Sequence, residues 1–411
     1  MVPEGWEVIP FSDVAEFKNG LNFNKDDDGR TIKVVGIPDF WQRTTLTDFS
    51  RLKTITSRGD IGDSHMLRSG DLLFVRSNGN PELVGRCMFF PTVNEPISFS
   101  GFTIRGRVDH RRMLPEFAAS LLGSDVAKDQ IRKGGGGTNI SNLSQDILGG
   151  IPVVVPPLPE QQKIAEVLGV WDRAIATTTA LLANARAQKR ALMQTLLTGA
   201  RRFPGFEDHP WREVRLGDVG TTYGGLTGKT KEHFGTGSSR YIPYLNIFQN
   251  NRIDPSQLIS VDVGPMERQN RVRYGDVFFT TSSETPDKVG MSSVLLDELD
   301  DTCLNSFCFG FRPHDLLQLR PRFAQFFFRG TQFRCELFQL AQGATRYNLS
   351  KTALMNVIIQ LPSPEEQDSI ADILVTAGAD ETSLAHQLNH LRTEKKSLMQ
   401  QLLTGKRRVV V

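Results

Sequence analysis

Residues 155–202 read VPPLPEQQKIAEVLGVWDRAIATTTALLANARAQKRALMQTLLTGARR, and residues 361–408 read LPSPEEQDSIADILVTAGADETSLAHQLNHLRTEKKSLMQQLLTGKRR. The two align without a gap at an offset of 206 residues. Glu160-Gln161 falls on Glu366-Gln367, Ile164-Ala165 on Ile370-Ala371, and Leu196-Leu197-Thr198-Gly199 on Leu402-Leu403-Thr404-Gly405. Each copy carries the start and stop signals of one long helix. Prolines precede it, where they are tolerated. Acidic residues occupy the first turn, where the helix dipole favours them. Gly199 and Gly405 follow the last apolar residues, with arginines next, as at a helix C-terminus. Between these limits the apolar positions step by four and three. The first copy gives Ile164, Leu168, Trp171, Ile175, Thr178, Leu182, Ala185, Lys189, Leu192 and Leu196. The second gives Ile370, Leu374, Ala377, Glu381, Leu384, Leu388, Leu391, Lys395, Leu398 and Leu402. Such a narrow heptad seam calls for a long helical partner. The spacing predicts that the two helices, each roughly 57 Å long at 1.5 Å per residue, pair with each other.

The repeat extends upstream. Trp6 to Val14 (WEVIPFSDV) matches Trp211 to Val219 (WREVRLGDV), and Gly70-Asp71-Leu72-Leu73-Phe74 matches Gly275-Asp276-Val277-Phe278-Phe279. Val84-Gly85 matches Val289-Gly290, and Asn142-Leu143-Ser144 matches Asn348-Leu349-Ser350. The chain is thus a tandem duplication: globular half, long helix, globular half, long helix. Its period is too long for a solenoid. The boundaries read as 1–154 and 211–360 for the globular halves, 155–200 and 361–405 for the helices, and 201–210 for a linker. In each half the Gly-Asp segments predict a turn followed by a short buried strand. Residues 97–108 and 304–311 read as strands, and 114–131 and 316–340 as helices. The expected class is α+β, with a small twisted sheet in each half.

The 411 residues include 23% charged and 39% hydrophobic ones, and the formal net charge is +2. These are ordinary values for a soluble globular chain. A basic face for a polyanion is compatible with so small a net charge. No apolar run is long enough to span a bilayer, and the N-terminus has no signal-peptide pattern. Cys87, Cys303, Cys308 and Cys335 form no paired motif, so they read as reduced thiols in a cytoplasmic protein.

Several stretches imitate catalytic motifs and fail on spacing. GGLTGKT at 224–230 lacks the first glycine of a phosphate loop and a preceding apolar strand. FGTG at 234–237 also lacks the strand, and no Asn-Pro-Pro-aromatic or Asp-Pro-Pro-aromatic segment for base methylation exists in the chain. The glycines at 134–137 do not fit a dinucleotide fingerprint. His386 and His390 are one helical turn apart, without a glutamate base or third ligand of metalloprotease type. Glu16-Phe17-Lys18 and Glu394-Lys395-Lys396 match a nuclease fragment too short to carry weight. The residues assemble no catalytic site, cofactor site or metal site.

On the repeated EQxxIA and LMQxLLTG segments and the GDLLF-like segments upstream, the whole chain resembles the specificity (S) subunit of Type I restriction-modification enzymes. The resemblance implies two target-recognition domains with small twisted sheets, separated by two long helices forming an antiparallel coiled coil. It also implies a non-catalytic chain bound to double-stranded DNA and to two methyltransferase (modification) subunits that carry S-adenosylmethionine. Restriction/motor subunits, which use ATP and Mg, would join through the complex. The specificity chain of a Type IIB or nuclease-free methyltransferase system, and a coiled-coil protein-docking adaptor, are the competing readings. Matching frameworks with divergent loops are what one scaffold reading two half-sites requires. Phosphates need Lys and Arg, and bases need Asn, Gln, Arg, Ser and Thr. The first-half candidates are Asn22, Asn24, Lys25, Arg43, Asn78, Asn80, Arg132, Lys133, Thr138 and Asn139. The second-half candidates are Thr227, Lys229, Lys231, Asn246, Gln249, Asn250, Ser283, Lys288, Thr345, Arg346 and Tyr347.

Overall fold

The structure, a computed structural model, describes residues 3–22, 30–41, 44–57, 61–134, 142–343 and 345–410. It divides into two units, one of residues 1–179 with 386–411 and one of residues 180–385. Each unit therefore holds the start of one long helix and the end of the other.

The first unit is built on a four-stranded antiparallel sheet. Its order is Ala15–Asn19, Thr103–Val108, Asp71–Val75, Cys87–Phe90. Beside it, Arg30–Val35 pairs antiparallel with Lys53–Ser57 and parallel with Ile97–Phe99. The strand after Gly70-Asp71 reads as a continuous apolar run because both of its faces are covered. Leu72 and Phe74 join the core formed with the helices, and Leu73 and Val75 join a second core with Phe40, Phe49 and Phe99. The second unit repeats the order with Gly220–Gly224, Cys308–Pro313, Val277–Thr280 and Ser292–Val294. Its smaller sheet is Ile259–Val261, Phe234–Ile242 and Thr302–Leu304.

Four segments are broken where the sequence predicts continuity. Residues 97–108 form two strands around a turn closed by the Thr103 N–H on the Ser100 carbonyl at 2.8 Å. Residues 304–311 break in the same way, with the Cys308 N–H on the Asn305 carbonyl. The expected helix 114–131 is two helices, Pro115–Leu122 and Asp125–Gly134, because Ser124 caps the second and its Oγ accepts from the Ala127 N–H. The expected helix 316–340 is Pro321–Phe327 and Thr331–Gln339, broken next to Gly330.

The long helices are Leu158–Leu196 and Pro364–Leu402, 39 residues each, or about 58 Å at 1.5 Å per residue. Every predicted seam position is buried or half-buried. In the first unit Lys395 of one seam reaches Asp172 of the other helix. In the second unit Lys189 meets Glu381 at 3.1 Å, and Arg186 donates to the other oxygen at 3.0 Å. The pairing is antiparallel in both units, since the end of each helix lies along the start of the other. Glu381, a charged position in the seam, is answered by Lys189 of the facing seam. Gly199 and Gly405 take φ of +70° and +71°, and the Arg201 and Arg407 N–H groups reach back to the Thr195 and Gln401 carbonyls. Only a residue without Cβ closes a helix this way at little cost.

The repeated Glu-Gln pair ties each sheet to the helices. Glu160 is buried and accepts from Trp6 Nε1 at 2.9 Å and from Arg408 Nε and Nη2 at 2.9 and 2.8 Å. Glu366 does the same with Trp211 at 3.0 Å and with Arg202. Gln161 accepts from the Leu114 N–H and donates to the Arg112 and Pro156 carbonyls, all at 2.8 Å. Gln367 repeats this with Arg320, Gln318 and Pro362. The tryptophans lead into the strands Glu7–Pro10 and Arg212–Arg215, which pair with Pro152–Val155 and Ile358–Leu361 just before each helix.

Candidate nucleic-acid interface

Three segments meet at one backbone position in the first unit. The Arg76 N–H donates to the Phe102 carbonyl at 2.8 Å, and the Arg76 carbonyl accepts from the Leu143 N–H at 2.7 Å. Ser77 bridges Asn142 beside it. The start of loop 77–83, turn 100–102 and Asn142-Leu143 are thus fixed relative to one another. The second unit builds the same node on Thr281. Its N–H donates to the Phe307 carbonyl at 3.0 Å, its carbonyl accepts from the Leu349 N–H at 2.8 Å, and Ser282 pairs with Asn348. The bonds that join the three segments are backbone ones in both units, so the framework tolerates different side chains around them.

In the first unit Asn78 and Asn80 sit in the loop. Their side-chain oxygens accept from the Asn80 N–H at 2.7 Å and the Glu82 N–H at 3.0 Å, which makes the loop rigid. Asn22 packs on Gly101, where an added Cβ would collide with its Oδ1. It lines a concavity of about 800 Å³ together with Arg51, Lys53, Ser100 and Phe102. Arg51 and Lys53 are exposed. Arg51 and Lys53 carry no motif of their own, and it is this grouping that marks them. Arg132 and Lys133 are exposed at the end of their helix, with Arg132 3.6 Å from Asp129. Thr44 and Thr45 are drawn elsewhere, laddered on Phe89 and lining another concavity with Leu114 and Glu116. Asn24, Lys25, Arg43, Thr138 and Asn139 lie outside the described residues.

In the second unit Ser283 pairs with Tyr347 beside the node, while Lys288, Thr345 and Arg346 are exposed. The Tyr244 hydroxyl donates to the Ser282 carbonyl at 3.0 Å and brings the helix Tyr244–Gln249 alongside. Gln249 on that helix is exposed, and so is Lys231. Two arginines brace this surface from below. Arg329 donates to the Ile247, Phe248 and Asn250 carbonyls, and Arg334 to the Gly290 and Asp287 carbonyls. Burial, assisted by the charge of Arg334, pushes the Arg329 guanidinium down to about 10.

Three second-half candidates already have partners within the chain. Asn246 is fully buried and its amide is consumed, donating to the Asp254 carbonyl at 2.9 Å and accepting from the Asp254 N–H at 3.0 Å. Its role is to hold its own helix, and Asn250 leans on it at 3.1 Å. The Lys229 side chain is 3% exposed and paired with Glu267. Thr227 is held by Gln269 through its N–H and hydroxyl. A strand, Gly220–Gly224, does precede the GGLTGKT stretch, but a 3-10 turn follows it rather than a helix. His390 does have a glutamate neighbour, Glu394 at 3.1 Å. Among the described residues no group of three or more His, Cys, Asp or Glu side chains could hold a metal ion, and no helix is long and apolar enough to cross a membrane.

A duplicated α+β framework with the same loop node in both copies has a counterpart among known families. The family model described as "Type I restriction modification DNA specificity domain" matches residues 3–186 and again 208–391. The chain belongs to that family. It is similar to a putative type I restriction enzyme MjaX specificity subunit of Methanocaldococcus jannaschii, with 23% identity over 99% of this chain and 95% of the relative. It is also similar to the type I restriction enzyme EcoKI specificity subunit of Escherichia coli K12, with 22% identity over 98% of this chain and 88% of the relative. Among solved structures, a chain from work on complex assembly and conformational transition of the type I R-M system superposes with a TM-score of 0.60. That match has 20% identity and covers 99% of this chain and 100% of that one. The type I restriction-modification S subunit from M. genitalium gives a TM-score of 0.58 at 13% identity, covering 97% and 96%. At these identities the structures speak for the fold of the specificity family.

Proposed function

We propose that this chain is the non-catalytic DNA-reading subunit of a Type I restriction-modification complex in the cytoplasm. Each globular half reads one part of a bipartite, asymmetric site in double-stranded DNA. The long helices serve as spacer and as docking site for two methyltransferase subunits, which supply S-adenosylmethionine. Motor and restriction subunits bring ATP and Mg. The observation that carries this reading is the shared node, at Arg76 and at Thr281, surrounded by loops of different chemistry. Asn78, Asn80 and the Asn22 concavity stand on one, and Ser283, Lys288, Arg346 and Tyr347 on the other. One framework holding two different donor sets suits two different base sequences. The node positions loops against phosphates, and the side chains beyond it specify bases.

The test is a domain exchange. The full chain is expressed with its methyltransferase partner in a host without other modification, and methylated motifs are mapped. Residues 1–150 are then replaced by the same segment of a relative with a different target. The expected result is a two-part motif in which one part changes and the other is kept. A motif that changes in both parts, or the absence of any motif with the partner present, refutes the reading.

A further inference from the structure

The turns at the two nodes carry phenylalanines at matching positions, 205 residues apart. Phe102 is 55% exposed and Phe307 is 62% exposed. A single exposed apolar side chain is ordinary. Recurrence at one position in turns that otherwise differ is not. The first turn has Ser100-Gly101 before its phenylalanine and the second has Asn305-Ser306. Each phenylalanine is held by its backbone from both sides. The Phe102 N–H donates to Ser100 Oγ at 3.3 Å and its carbonyl accepts from Arg76. The Phe307 N–H donates to Asn305 Oδ1 at 2.8 Å and its carbonyl accepts from Thr281. Different side chains thus produce the same rigid presentation of an aromatic ring to solvent. Around Phe102 the concavity offers Asn22, Arg51 and Lys53. Beside the Phe307 node the exposed groups include Arg346. An apolar ring among amides and cations suits a polyanion with stacked apolar bases better than an apolar protein surface.

We propose that Phe102 and Phe307 act as apolar wedges, one per half-site, each entering the duplex at a base step and partly unstacking it. Insertion of an apolar side chain unstacks the step and bends the duplex onto more protein surface. Flexible pyrimidine–purine steps are the cheapest place for it. The inference rests on the DNA-reading function, and the experiment separates the two.

The full chain with its methyltransferase partner is titrated onto duplexes of the mapped motif, each with 2-aminopurine at one position. The wild type is expected to raise fluorescence at one step in each half-site. F102A is expected to abolish the signal in the first half-site only and to weaken binding about tenfold, as loss of one aromatic–base contact does. F307A is expected to do the same in the second half-site. F102W should keep both signal and affinity. Thermal midpoints of the variants check that the exposed positions leave the fold intact. Failure of the wild type to bind the mapped duplex refutes the DNA-reading function. Tight binding without a fluorescence rise, or a rise that survives both alanine variants, overturns the wedge and leaves that function standing.

Discussion

Replacing Glu160 with alanine tests how the sheet of the first unit is held to the helices. The carboxylate is 3% exposed and serves three donor atoms, Trp6 Nε1 and two guanidinium nitrogens of Arg408. Trp6 is itself 5% exposed, so alanine leaves a buried indole N–H without its acceptor. A hydrogen bond to a charged group is worth about 1.5–3 kcal/mol. The Arg408 side chain is 47% exposed, so solvent screens the ion pair and the Trp6 bond dominates. The expected destabilisation for E160A is therefore about 1.5–3 kcal/mol. E160Q, which keeps an acceptor for Trp6 but loses the charge, should be destabilised less than E160A. Glu166 on the same helix is exposed, and E166A should stay within about 0.5 kcal/mol. Urea unfolding of the full chain, followed by tryptophan fluorescence, measures all three, and a double-mutant cycle with R408A isolates the pair.

The pH dependence of the same clasp has a defined sign. Burial raises the Glu160 carboxyl, but the hydrogen bonds from Arg408 and Trp6 outweigh it and hold the group below the usual glutamate range. A depressed folded value stabilises above the unfolded value and stops doing so as pH falls through the folded one. The gap between wild type and E160A should thus be full at neutral pH, begin to narrow near the ordinary value of about 4.3, and shrink below the folded value to what a neutral carboxyl still offers Trp6. An E160A chain as stable as E166A at pH 7, or a gap that widens on acidification, refutes the clasp.

Further outcomes are expected elsewhere in the chain. R51A and K53A should each lower the slope of log affinity against log salt by roughly 0.9 if the residue holds one phosphate, and filter binding at several salt concentrations reads this directly. In the seam, E381L alone should destabilise by leaving Lys189 facing leucine. The double change K189L with E381L should be neutral or stabilising by about 1–4 kcal/mol, as measured by thermal melts. N246A should cost about 1–3 kcal/mol of stability, since it orphans buried partners, and should leave the methylated motif unchanged.

What the sequence discloses and what it hides follow from the same duplication. The heptad positions and the terminal glycines are local signals, and the structure places all of them as the periodicity requires, down to the charged seam residues Lys189, Glu381 and Lys395. The Glu-Gln pair was visible as a repeated element, yet its role was not. Glu160 reads as a first-turn acid facing the helix dipole, while its actual partners lie 154 and 248 positions away. No periodicity reports such a distance. The candidate loops show the complementary failure. Asn246 has the right chemistry for an adenine edge, but the turn at Asp254 folds back and consumes its amide. Lys229 likewise has the charge for a phosphate but spends it on Glu267. Composition marks which residues can donate, and only packing decides which are already engaged. Phe102 and Phe307 invert the case. Their chemistry argues against a polar recognition loop, so a search by residue type passes them over. The internal alignment contains them as an identical aromatic in two otherwise dissimilar turns. In a duplicated chain, sameness amid divergence marks what the framework must do twice, and divergence amid sameness marks what it must do differently each time. On the proposed function, that criterion assigns the phenylalanines to the shared part of binding, and the loops beside Arg76 and Thr281 to the part that differs between half-sites.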